Sequence, residues 1–318
     1  MNNLYRMREF LDLDLGDDAW HISNLLRPQG KLLLFGEPKI GKSNLALDMS
    51  ICLEQGTPVW GIPRFLPMRG LAVLYIQTEV GEQTLQGRLK AMLSNYPDAS
   101  DGSVWLYTVS TLYIDQDEQA RTTFEALLNQ TLPDVVILDP LADIYMGREN
   151  EADDAKKLTS YLNRLMDARK FSTIIIHHMS KPGEGKARGQ SAARGSSVFT
   201  GWANANVAVT HGGMKDGKVS LRMSFDLRDA PPLESIMVVR DSTSLLHSVY
   251  THVVAKDEHL GVLLELLKDS PLTKADLSRM LAEQLQVAKR TAYRIIDGAL
   301  DNHQIYLDGD LLALAPVS

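Results

Sequence analysis

The stretch Lys31-Leu32-Leu33-Leu34-Phe35-Gly36-Glu37-Pro38-Lys39-Ile40-Gly41-Lys42-Ser43-Asn44 decides the fold. Its apolar start, Leu32 to Phe35, has the length and composition of a buried strand. Gly36 to Ser43 fits the pattern G-x-x-x-x-G-K-S/T, and a helical pattern follows from Ser43 to Glu54. Strand, glycine-rich turn and helix in that order make a phosphate-binding loop. The glycines let backbone N–H groups curl around phosphate oxygens, and the helix N-terminus adds its dipole. Lys42 is predicted to reach the β and γ phosphates, and the Ser43 hydroxyl to bind Mg²⁺. The cradle for a nucleotide's phosphates is therefore Gly36, Glu37, Pro38, Lys39, Ile40, Gly41, Lys42, Ser43 and Asn44.

Outward from this loop the texture repeats. Short apolar runs at Leu71–Ile76, Val104–Tyr107, Val135–Leu138 and Thr173–Ile176 alternate with helix-like segments Gly81–Ser94, Glu118–Gln130 and Glu151–Arg169. Runs rich in Val, Ile and Leu are strands buried on both faces, so the alternation predicts an α/β fold with a mostly parallel sheet. Two of these strands end in carboxylates. Asp139 closes Asp134-Val135-Val136-Ile137-Leu138-Asp139 and is the candidate second metal residue, through water. Glu79 follows Val73-Leu74-Tyr75-Ile76-Gln77-Thr78 at the strand end where open α/β sheets bind ligands. It is the candidate water-orienting base. The bland alternatives are a turn-forming Asp139 and a Glu79 that only opens the next helix.

After Ile176 the segment from His178 to Ser197 is rich in Gly, Ser and basic residues, including Lys181, Lys186, Arg188 and Arg194. A loop of that length in a compact domain is commonly functional. Strands are expected at Val207–Thr210, Val219–Phe225 and Ile236–Val239, with a hairpin marked by Gly212-Gly213 and Asp216-Gly217. The pattern weakens around Ser248–Asp257, where a domain boundary is expected. Beyond it lie an apolar helix at Leu260–Leu267, a second helix capped by Thr273, a third at Val287–Leu300 and a hairpin around Asp308-Gly309. Three helices and a hairpin are the plan of a winged helix-turn-helix. The expected organisation is an N-terminal segment 1–30, an ATPase domain 31–250 and a winged-helix domain 256–318.

Composition narrows the classes. Thirty-three Lys and Arg against 40 Asp and Glu leave a net charge of −7, which excludes a globally basic nucleic-acid coat protein but not a local basic patch. The single cysteine, Cys52, excludes an intrachain disulfide and a multi-cysteine zinc site, and its apolar setting makes it a core residue. The N-terminus has no apolar signal region and no apolar run is long enough to span a bilayer, so a cytoplasmic protein without membrane contact is expected.

The loop, the strand ending at Glu79, the Asp139 strand and the run Ile176-His177-His178-Met179-Ser180-Lys181, followed by Arg194-Gly195-Ser196-Ser197, resemble the RecA-type ATPases. More narrowly they resemble the plasmid RepA-type hexameric replicative helicases and their AAA-like relatives, over roughly Trp20 to Arg240. The resemblance implies an ATP- and Mg²⁺-dependent core that assembles into a homohexameric ring with single-stranded DNA in its channel. It implies that His178 is a sensor coupling the γ-phosphate to a DNA-facing loop containing Lys181, Lys186, Arg188 and Arg194. It also implies an arginine supplied in trans by the neighbouring subunit, for which Arg228 and Arg222 are ranked above Arg194. Each of these arginines could instead be a surface ion-pair partner. The winged helix departs from the plasmid helicases. Its Lys289, Arg290 and Arg294 could face duplex phosphates, or the domain could serve protein contacts. Two functions follow: a DNA helicase in replication of a plasmid, phage or mobile element, or an ATP-regulated DNA-binding protein that does not unwind.

Overall fold

The computed structural model describes residues 4–13, 19–68, 70–96, 102–147, 152–178, 197–215, 218–250, 253–268, 270–301, 305–309 and 311–314. The chain divides into two compact units, Met1–Tyr250 and Thr251–Ser318.

In the first unit a short helix α1 (Met7–Leu11) precedes β1 (Lys31–Gly36), α2 (Lys42–Gln55), β2 (Val73–Gln77), α3 (Glu82–Leu93), β3 (Val104–Thr108), α4 (Glu118–Thr131), β4 (Val135–Asp139), α5 (Ala152–Arg169) and β5 (Ser172–His178). Helix α6 (Ser197–Trp202) then leads into β6 (Ala205–Lys215), β7 (Lys218–Leu227), β8 (Ile236–Arg240) and β9 (His247–Val249). All nine strands form one sheet in the order β3-β2-β4-β5-β1-β6-β7-β8-β9. From β3 to β6 neighbours are parallel, and β7, β8 and β9 each run antiparallel to the strand before. This is the mainly parallel α/β sheet that the alternation predicts.

Alternate residues of the central strands β1, β2, β4 and β5 feed two separate cores, while edge strand β3 leaves Trp105 and Leu106 exposed. Val73 and Tyr75 pack with Leu45, Met49, Leu85 and Met92 from α2 and α3. Leu74 and Ile76 pack with Phe124, Leu128, Leu158, Leu162 and Phe199 from α4, α5 and α6. Apolar residues at every position of a strand are thus explained by helices on both faces. Such layering puts the C-terminal ends of β1, β2, β4 and β5 at one edge, where the turns into helices are free to hold a ligand.

One expectation is corrected and one is refined. Residues 19–30 are not a segment apart, because Ile22, Leu25 and Leu26 are fully buried in the first core. The Ser172 hydroxyl of β5 donates to the Arg27 carbonyl at 2.9 Å and accepts from the Gly30 N–H at 3.2 Å, fastening that segment under the sheet. Gly212 and Gly213 lie inside β6 at a bulge, where the register shifts between His211 and Gly213 and Gly213 has φ 85°. Glycine serves there as a bulge residue, and the expected hairpin joins β6 to β7 beyond the Lys215–Lys218 pair. The connection at 216–217 lies outside the described residues.

The second unit holds α7 (Val253–Leu266), β10 (Leu272–Thr273), α8 (Lys274–Leu285), α9 (Lys289–Asp301), β11 (Ile305–Asp308) and β12 (Leu311–Leu314). Its three strands pair β10-β12-β11, and its core is built from Leu263, Leu267, Leu277, Leu281, Ile296 and Leu312. Thr273 caps α8, its hydroxyl accepting the Asp276 N–H at 3.1 Å.

Candidate functional site

The loop after β1 is shaped by two glycines. A Cβ on Gly36 would stand 2.4 Å from the Val209 carbonyl oxygen of β6, so the close strand pairing admits no side chain. Gly41 has φ 107°, in the left-handed region that favours glycine. Gly41 also begins α2 without any side-chain cap. The first N–H groups of a fourteen-residue helix are therefore left for an anion.

Lys42 is buried at this point. Its ammonium donates to the Gly36 carbonyl at 3.0 Å and the Glu37 carbonyl at 2.8 Å. Its third contact is His178 Nδ1 at 3.0 Å. An ammonium has only donors, so Nδ1 is the acceptor and the ring proton of a neutral His178 sits on Nε2. Burial lowers the Lys42 pKa to about 8, against the opposing charges of Asp139 and Glu79. Burial, then the Lys42 charge, also lowers the pKa of His178 and favours its neutral form.

Asp139, fully buried at the end of β4, faces the start of α2. The Ser43 hydroxyl donates to its Oδ1 at 3.2 Å, and the Tyr75 hydroxyl to its Oδ2 at 2.5 Å. Burial raises the Asp139 pKa to about 6 even though both hydrogen bonds favour the ionised form. A carboxylate that burial disfavours, beside a serine hydroxyl, is a hard-oxygen donor set that suits a divalent cation. Residues Ser43 and Asp139 together fit Mg²⁺.

Glu79 is exposed two residues beyond β2. Its charge raises the proton affinity of both Lys42 and Asp139, which places it within electrostatic reach of the loop. Thr78, before it, is fixed by donating to the Asp139 carbonyl through its N–H at 3.0 Å and to Asp143 Oδ2 through its hydroxyl at 3.0 Å. Tyr75, Thr78 and Asp143 are site residues that the sequence reading passed over. A tyrosine in an apolar strand carries no signal until the neighbouring strand is known to end in an aspartate.

The two leading arginine candidates part company. Arg222 is exposed on β7 opposite Thr210, one residue past the level of the loop. Arg228 is exposed at the far end, where its N–H donates to the Asn204 carbonyl and Asn204 in turn to the Lys31 carbonyl. The length of β1 separates that end from Gly36, roughly 17 Å at strand rise. Its guanidinium donates to the Gly201 carbonyl at 3.0 Å and lines a polar recess with Asn204, Asn206 and Asp226. Lys181, Lys186, Arg188 and Arg194 lie outside the described residues. In the second unit Lys289 and Arg290 are exposed in the first turn of α9, which holds no acid. Nothing is described of the Arg294 side chain.

A buried lysine inside a glycine-bounded loop, an uncapped helix and a serine–aspartate pair at one sheet edge define a P-loop ATPase. The chain belongs to the AAA domain family, whose model matches residues 15–184, just over half its length. Among solved structures it resembles a KaiC-like protein from the hyperthermophilic archaeon Pyrococcus horikoshii OT3, at 12% identity and a TM-score of 0.46, over 71% of this chain and 91% of that one. A comparison with curated proteins returned no match. No helix among the described residues is long and apolar enough to cross a membrane.

Proposed function

We propose that this ATPase is a ring-forming DNA motor of the RepA helicase type, acting in replication of a plasmid, phage or other mobile element in the cytoplasm. The observation that carries the reading is the 3.0 Å contact between Lys42 and His178. It joins the phosphate-binding cation to the last residue of β5, directly before the basic segment with Lys181, Lys186, Arg188 and Arg194. An arriving γ-phosphate competes for the Lys42 ammonium, and His178 then loses its partner. That exchange gives the following segment a way to sense the nucleotide.

In hydrolysis the Lys42 ammonium neutralises charge on the β and γ phosphates while the loop N–H groups hold them in place. Mg²⁺, held by Ser43 and Asp139, supplies further charge neutralisation when bound. Glu79 orients a water and accepts its proton as the water oxygen bonds to the γ-phosphorus. The bond to the bridging oxygen breaks and ADP leaves. Arg228 lies too far from its own loop to act there, and its exposure suits a contact with the nucleotide of a neighbouring copy in a hexamer. Arg222, level with the loop, is the second candidate for that contact.

The second unit favours an additional DNA contact of winged-helix kind. Cations in the first turn of α9 oppose the helix dipole, which a bound phosphate would offset. The deciding experiment compares strand displacement with ATPase rates on single-stranded and duplex DNA. ATP-dependent displacement with stimulation by single strands supports the motor. Duplex binding without displacement favours an ATP-regulated DNA-binding protein instead.

A further inference from the structure

Strand β8 ends at Arg240, at the same sheet edge as the P-loop. The guanidinium Nη1 stands 3.6 Å from the point that a Cβ on Gly41 would occupy, so this cation lies against the last glycine of the loop. Arg240 is half-buried, and among the described residues no carboxylate pairs with it. Its forked donors are therefore placed where an anion held in the loop could meet them.

Its position is fixed from behind. Arg240 is directly opposite His247 in the β8–β9 ladder. His247 is buried, and both its backbone N–H and its ring Nδ1–H donate to Oδ2 of Asp48, at 2.7 and 2.8 Å. Asp48 belongs to α2, the helix that the P-loop opens, and its Oδ1 accepts from Cys52 at 3.6 Å. One buried carboxylate therefore locks the strand beside Arg240 to the helix that begins at Lys42. Loop and guanidinium are held in register through this one helix.

We propose that Arg240 is a nucleotide-binding residue acting in cis, a guanidinium contact to the phosphate chain of the nucleotide in the loop, with Asp48 and His247 as its positioning pair. The inference rests on the reading of Gly36–Asn44 as the nucleotide cradle. A triphosphate carries more negative charge than Lys42 alone can balance, and a guanidinium is suited to phosphate oxygens by its forked donors. The trans arginine of a ring is a separate requirement, because Arg240 belongs to the same chain as the loop it touches.

The test is a titration of the full chain with fluorescent ADP and ATP at several salt concentrations, with thermal melting as the control for folding. Arg240→Ala is expected to weaken both nucleotides about ten- to a hundredfold, the usual loss for a charge-assisted hydrogen bond. Its melting without nucleotide should match the wild type, and Arg240→Lys should fall between the two in affinity. Asp48→Asn should weaken binding in the wild-type background and add nothing to Arg240→Ala, since both remove one contact. Wild-type affinity in Arg240→Ala, with binding lost in Lys42→Ala, overturns the proposal and leaves the cradle standing. Additive losses in the double variant overturn the positioning role of Asp48. A wild type that binds neither nucleotide removes the cradle and the proposal together.

Discussion

Asp139 occupies a place where its charge costs stability. Burial raises its pKa from 3.8 to about 6, so the folded state binds more protons than the unfolded one between those values. Stability therefore falls as pH rises through that window and stays lower above it. Asp139→Asn removes that charge but turns an amide N–H toward one of the two hydroxyl donors, so the nucleotide-free protein should be stabilised at pH 7 by only on the order of 1 kcal/mol. The gain should vanish near pH 4, and melting curves at the two pH values check it. Lys42 has the mirrored sign: its pKa is lowered from 10.5 to about 8, so its burden is present at neutral pH and lifts only as pH rises through that range. Two groups that weaken the empty protein are the two that a magnesium-bound triphosphate would satisfy. Lys42→Ala should accordingly abolish nucleotide binding in a titration. Glu79→Gln should bind as tightly as the wild type yet turn over about 10²–10⁴-fold more slowly, a separation that single-turnover kinetics and a binding isotherm read directly.

Among the elements, the central pair β1 and β6 tolerates least. A methyl at Gly36 would meet the Val209 carbonyl at 2.4 Å, backbone against backbone, with no flexible side chain to yield. Gly36→Ala should cost about 2–4 kcal/mol and lower the melting temperature, in addition to any effect on phosphate binding. Strands β1, β2, β4 and β5 were legible because helices on both faces demand apolar residues at every position, whereas β3, at the sheet edge, kept an apolar run although Trp105 and Leu106 are exposed. Of the antiparallel strands, β7 and β8 were also legible and β9 was not. His247–Val249 is three residues long and mostly polar, and its place is set by the Asp48 carboxylate rather than by an apolar run. Gly212 and Gly213 marked the right hairpin from a bulge within β6, because a bulge and a turn use glycine for the same backbone freedom. The approach of Arg240 to Gly41 had no sequence signal at all. It arises only when β8, two hundred residues downstream of the loop, is brought to the same edge by the sheet.

At the scale of the molecule, the two units have separate cores, with no residue common to them among the described residues. A chain ending at Tyr250 should therefore fold cooperatively and keep its affinity for nucleotide, as melting and titration of the truncated protein would show. Removing the second unit should reduce duplex binding if Lys289 and Arg290 contact phosphates, and should flatten its salt dependence by roughly one unit per lost contact. The order of the second unit's elements was legible from Thr273, the amphipathic helices and Asp308-Gly309. Its two-residue strand β10 was hidden, because it exists only by pairing with β12.

Strand β1 sits between β5 and β6, so its first residue, Lys31, pairs alongside Thr173 and its second, Leu32, beside both Ile174 and Ala205. During synthesis β1 leaves the ribosome more than a hundred residues before either neighbour. At ~5–20 residues per second the intervening chain takes roughly 7–30 s to emerge. Through that interval Leu32, Leu33, Leu34 and Phe35 have no sheet to enter. The newborn chain carries this apolar strand uncovered for longer than a small domain needs to fold. Its yield in a cell is therefore expected to depend on holdase chaperones and to improve when translation between residues 36 and 172 is faster.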